Sequence, residues 1–165
     1  MHKKILTITQ AALVAAAYVT LTMVIQPIGY GPLQFRVAEA LTILPVYMPA
    51  AIPGLTVGCF LSNLIGLSSG LNPAGGWDLL VGTGATLMAA LLSYRFRSLR
   101  FRNLPLLATL PPVVINAVAI GLELALVYGG LPWYWHVAGV AAGQFVACCL
   151  CGTVLSMVFN RMERS

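Results

Sequence analysis

Long apolar runs separated by short polar turns recur along the whole chain, and they predict helices over 5–25, 36–47, 53–67, 77–94, 111–128 and 137–160. A membrane-spanning helix needs about 20 predominantly apolar residues, so runs of this kind read as spans. A membrane β-barrel would instead show alternation over about 10 residues. The pattern therefore predicts an all-α, polytopic membrane protein: a single integral membrane domain over 1–165, built as a six-transmembrane-helix bundle. The connections carry helix-breaking chemistry. Pro45, Pro49 and Pro53 interrupt one turn, and the stretch 68–76 holds Gly70, Pro73, Gly75 and Gly76.

Composition sharpens this reading. Hydrophobic residues make up 59% of the chain and charged ones 8%, with a mean hydropathy of +0.91, against roughly 25% charged residues in a soluble domain. The net charge of +5 could suggest nucleic acid, but its placement excludes that. Lys3 and Lys4 precede the first run, Arg95, Arg97, Arg100 and Arg102 share one turn, and Arg161 and Arg164 close the sequence. Such clusters mark cytoplasmic segments, so both termini are expected in the cytoplasm and the protein in the cell membrane. The first run continues into Gln26 and Pro27 without a small-residue cleavage site, which reads as a retained helix rather than a signal peptide.

Against this apolar background the polar residues stand out. Arg36 and Glu39 open the helix expected over 36–47, three residues apart and so on one helical face, where each can partner the other. A cation in a first helical turn opposes the helix dipole, so Arg36 must answer to something other than helix stability. Ionisable residues in a span are costly and mark functional sites. Asn63, Asp78, Glu123 and Gln144 fall at the same expected depth, the outer half of the bundle, with the inner half almost wholly apolar. Asp78 also suits a helix cap. Asn116, Ile120 and Glu123 share one stripe. One-sided polarity reads as a pocket open to the outside, whereas a channel would want polar lining throughout.

The charges within the spans sum to one positive and three negative, which favours a cation or a ligand rich in N–H donors. Tyr30, Phe35, Trp77, Trp133 and Tyr134 border the pocket and suit a flat heterocycle. The candidate substrate-binding set is Tyr30, Arg36, Glu39, Asn63, Trp77, Asp78, Asn116, Glu123, Trp133 and Gln144. Cys59, Cys148, Cys149 and Cys151 lack histidines at ligand spacing and read as small core residues rather than a metal site. Gly82, Thr83 and Gly84 lack the lysine of a nucleotide-binding loop, and no nucleophile has a base at plausible depth, so an enzyme is not expected. Ala11, Ala12, Ala15 and Ala16 form two small-residue pairs that let another helix approach closely.

YGPLQFRVAEAL at 30–41, PAAIPG at 49–54, the Trp77 and Asp78 helix start, and LPPVVINA at 110–117 with Glu123 resemble the QueT family of queuosine-precursor transporters. These are substrate-binding S components of energy-coupling factor (ECF) transporters, and the resemblance covers nearly the whole chain. It implies uptake of a 7-deazaguanine such as preQ0 or preQ1. It also implies an ECF coupling transmembrane subunit and two ATPase subunits as partners; ATP is used by the partners and this chain carries no cofactor. The faces holding Ala11, Ala12, Ala15 and Ala16 then become candidate docking surfaces for the coupling subunit. The alternative from the residues themselves is a stand-alone proton-coupled carrier, with Glu123 or Asp78 as its proton site.

Overall fold

Five helices in the computed structural model are long and apolar enough to cross a membrane; it describes residues 2–25, 35–72, 74–101 and 104–162. They are α1 (His2–Val24), α2 (Ala51–Ser68), α3 (Gly76–Arg95), α4 (Leu110–Tyr128) and α5 (Trp133–Met162). No strand occurs among the described residues, and Phe101 and Leu104 form one isolated bridge. A short 3-10 turn, Leu106–Thr109, leads into α4, whose first residues include Pro111 and Pro112. Those positions have no intrahelical N–H bond to lose. Within α5, Phe145–Cys151 is wound as a π-helix. The helix begins at Trp133, four residues before the expected start.

The α-helix expected over 36–47 is instead a 3-10 helix, Val37–Val46. Pro45 lies inside it. In an α-helix that ring would clash with the carbonyl four residues back and remove a hydrogen bond, so an α-helix could not run unbroken through this position. At about 2.0 Å per residue the element is ~20 Å long, shorter than the ~30 Å hydrocarbon thickness of a bilayer. Eight of its ten residues are buried, because the element runs through the middle of the bundle and meets α1, α2, α3 and α5. Apart from Glu39 and Thr42 its residues are apolar, and a helix apolar on nearly all sides belongs in such a place.

Glycines bring α1 and α2 together. A Cβ on Gly54 would lie 2.7 Å from the Ala11 carbonyl oxygen and 2.9 Å from Val14 Cβ. One on Gly58 would lie 2.8 Å from Tyr18 Cβ and 3.1 Å from Ala15 Cα. The register rises together on both helices, so α1 and α2 run parallel. Gly121 meets Val137, making α4 and α5 an antiparallel pair. This packing corrects one expectation: Ala11 and Ala15 line the internal contact with α2, and Ala15 is buried. Ala12 and Ala16 are exposed.

The half of the bundle at the arginine turn is less apolar than expected. The Tyr47 hydroxyl lies 2.5 Å from Ser156 Oγ and donates to Asn160 Oδ1 at 3.2 Å, and Ser93 Oγ donates to the Ala108 carbonyl at 2.7 Å. These bonds tie the 3-10 helix to α5 and α3 to the turn before α4. Each satisfies a polar group that would be costly in hydrocarbon.

Candidate functional site

Three positions of the 3-10 helix and its entry carry the site. Arg36, in extended conformation at its N-terminus, is buried, and its Nη2 donates to Asp78 Oδ2 at 2.5 Å. The same oxygen accepts from Asn72 Nδ2 at 2.8 Å. Asn63 Nδ2, on α2, donates to the Asp78 backbone carbonyl at 2.7 Å. Asp78 is the third residue of α3, and Gly75 occupies the N-cap position with φ 59°. The expected capping role is therefore corrected: the carboxylate lies in the favourable first turn but points to the arginine. Gly82 makes that possible, since a Cβ there would collide with Asp78 Oδ1.

Glu39 has different partners. The Tyr18 hydroxyl of α1 donates to its Oε1, and Asn116 Nδ2 of α4 donates to its Oε2 at 3.3 Å. The expected pairing of Arg36 with Glu39 assumed an α-helical face. With Arg36 extended and the following residues in a 3-10 helix, the two side chains reach different neighbours. The Glu39 carbonyl accepts from Thr42 Oγ1 at 2.6 Å and from Cys148 Sγ at 3.5 Å, and Cys148 also donates to Gln144 Oε1 at 3.2 Å. Gln144 thus joins the network through a thiol at the π-helical turn.

Glu123 is different again. It is 6% exposed, and neither carboxylate oxygen has a hydrogen-bond partner among the described residues. Asp78 Oδ1 and Asn63 Oδ1 are likewise buried and unpartnered there. All four atoms are acceptors, while both carboxylate oxygens of Glu39 and Asp78 Oδ2 are already occupied. Glu123 lines a cavity of about 310 Å³ between α3 and α4, with Trp77, Val81, Ala119, Leu122, Leu126 and Val127. Buried polar groups cost free energy unless bonded, so this cluster is suited to a ligand that brings donors.

Of the residues singled out in the sequence, Arg36, Asn63 and Asp78 meet in one bonded set and Glu39, Asn116 and, through Cys148, Gln144 in another, while Glu123 is buried with no hydrogen-bond partner among the described residues. Trp77 is 69% exposed and lines the cavity that holds Glu123. Trp133 is exposed and packs edge-on to Tyr134, with ring centroids 6.0 Å apart. Tyr30 and the loop before Arg36 lie outside the described residues.

Residues 8–161 match the QueT transporter family model. The chain belongs to the QueT transporter family. It is similar to the queuosine precursor transporter QueT of Lactococcus lactis subsp. cremoris (strain MG1363), 37% identical over 103 residues. That match covers 58% of this chain and 56% of the relative, so the chain spans little more than half the length of that protein. No solved structure matches the chain. Family and helices together describe a multi-pass membrane protein of a transporter family.

Sequence reasoning missed Tyr18, Asn72, Thr42 and Cys148. Tyr18 carried a usable signal: it follows Ala11 and Ala15 on the same helical face, and a phenol buried there needs a partner for its hydroxyl. Cys148 carried none, because its role depends on the π-helical turn that aims it.

Proposed function

We propose that this chain is the substrate-capturing S component of an ECF-type importer in the cell membrane, binding a 7-deazaguanine queuosine precursor from outside. The observation that carries this reading is the set of buried acceptors that have no donor among the described residues: Asn63 Oδ1, Asp78 Oδ1 and both Glu123 oxygens. A guanine-like ring presents N–H donors along one edge, which is the complement such a site needs. Arg36 holds Asp78 in place, and Tyr18 and Asn116 hold Glu39, so the polar wall is rigid before the ligand arrives. Preorganisation of this kind lowers the cost of binding.

Six passes with both termini in the cytoplasm agree with the alternating directions of α1, the 3-10 helix and α2 to α5. They also bring Lys3, Lys4, Arg95, Arg97, Arg100 and Arg161 to one end. The chain has no energy source of its own in this reading. A coupling transmembrane subunit docks on the face bearing Ala12 and Ala16, and two ATPase subunits consume ATP.

Proteoliposomes test the assignment. With the chain alone, 7-deazaguanine binds but does not accumulate under a proton gradient; adding the coupling subunit, the ATPases and ATP produces uptake. Accumulation by the chain alone under a proton gradient would instead establish a self-sufficient carrier.

A further inference from the structure

The geometry points to Glu123 as a subsite for a positively charged substituent, which would make the protein select a 7-aminomethyl over a 7-cyano deazaguanine. The inference rests on the proposed function and deepens it. Three carboxylates share the site, and their surroundings differ. Asp78 is matched by the Arg36 guanidinium at 2.5 Å and by Asn72. Both oxygens of Glu39 are taken by the neutral donors Tyr18 and Asn116. Glu123 alone among these three has both oxygens unpartnered among the described residues, although it is nine-tenths buried.

An unmatched buried carboxylate gains most from a cation. The rest of its cavity offers no competing charge: Val81, Ala119, Leu122, Leu126 and Val127 are apolar, and the Trp77 indole supplies an aromatic wall that favours ammonium over a neutral group. Deazaguanine chemistry fits two walls at once. Its N1–H and 2-amino donors lie on the six-membered ring and suit Asn63 and Asp78, while the C7 substituent projects from the five-membered ring and can reach a separate group. An ammonium at C7 completes Glu123; a nitrile there sets an acceptor against an acceptor.

Calorimetric titration of the purified full chain with 7-aminomethyl-7-deazaguanine, 7-cyano-7-deazaguanine and unsubstituted 7-deazaguanine tests this. The aminomethyl compound is expected to bind about 10-fold to 100-fold tighter than the cyano compound, the scale of a charge-assisted hydrogen bond. Glu123→Gln should erase that preference, and its thermal unfolding in detergent, compared with that of the parent chain, reports an intact fold. Glu123→Asp, which keeps the charge, should retain part of the preference. Equal affinities in the parent chain, tighter binding of the nitrile, or a Glu123→Gln loss that is the same for all three compounds would each overturn the inference while leaving the proposed function standing. Failure of all three compounds to bind the parent chain would overturn both.

Discussion

Arg36 and Asp78, forty-two positions apart in sequence, form a buried ion pair at 2.5 Å that joins the entry of the central 3-10 helix to the first turn of α3. Removing one partner leaves the other as an uncompensated buried charge, at a typical cost of about 3 to 5 kcal/mol. Arg36→Met and Asp78→Asn are each expected to destabilise the bundle strongly, and the double variant to cost much less than their sum. A double-mutant cycle on thermal unfolding in detergent measures this. A coupling for Arg36 with Glu39 larger than that for Arg36 with Asp78 would contradict the assigned pairing.

The Tyr18 hydroxyl supplies one of the two donors that hold Glu39. Tyr18→Phe keeps the ring and deletes only the donor, so the bundle should fold and lose about 1 to 3 kcal/mol. Asn116→Ala should show a similar loss, since Asn116 serves the other oxygen. An unchanged unfolding midpoint in Tyr18→Phe would mean that the carboxylate does not depend on it.

Gly82 leaves the room in which the Asp78 carboxylate sits. A Cβ there would collide with Asp78 Oδ1 and come within 2.9 Å of Asn63 Nδ2. Gly82→Ala is therefore expected to weaken ligand binding at least tenfold, about 1.4 kcal/mol. The fold should survive, because alanine is a better helix former than glycine. Normal affinity in a calorimetric titration would show that Asp78 can move without consequence.

The alanines of α1 divide by burial. Ala15 packs against Gly58, so Ala15→Leu should destabilise the bundle by about 1 to 3 kcal/mol through overpacking. Ala16 is exposed, and under the proposed function Ala16→Trp should leave folding and ligand binding intact while blocking co-purification with a coupling transmembrane subunit. A pull-down beside an unfolding curve on each variant separates the two. Retained assembly in Ala16→Trp would move the docking surface away from this face.

The apolar runs made the long helices legible, because length and hydropathy are local properties of a sequence. Arg36 was legible as a problem: a cation at a helix start demands a partner. Its partner was not, because spacing identifies neighbours only when the winding is known, and this element is wound as a 3-10 helix rather than an α-helix. The faces of α1 illustrate the same limit. Ala11, Ala12, Ala15 and Ala16 allow close approach on two faces alike, and only Gly54 and Gly58 across the contact decide which one is internal. Trp133 shows the reverse case, an aromatic residue placed by sequence at the pocket that the fold leaves exposed.

The central claim is that the unpartnered acceptors receive the donor edge of a guanine-like ring, and a comparison of analogues measures it directly. The purified chain is titrated with 7-deazaguanine, with 7-deazahypoxanthine, which lacks the 2-amino donor, and with 7-deazaadenine, which lacks both that donor and the N1–H. Sites built around a hydrogen bond reject ligands that cannot make it. The expected order is 7-deazaguanine first, the hypoxanthine analogue weaker by about tenfold or more, and the adenine analogue weakest. Equal affinities for the three, or a preference for the adenine analogue, would contradict the account.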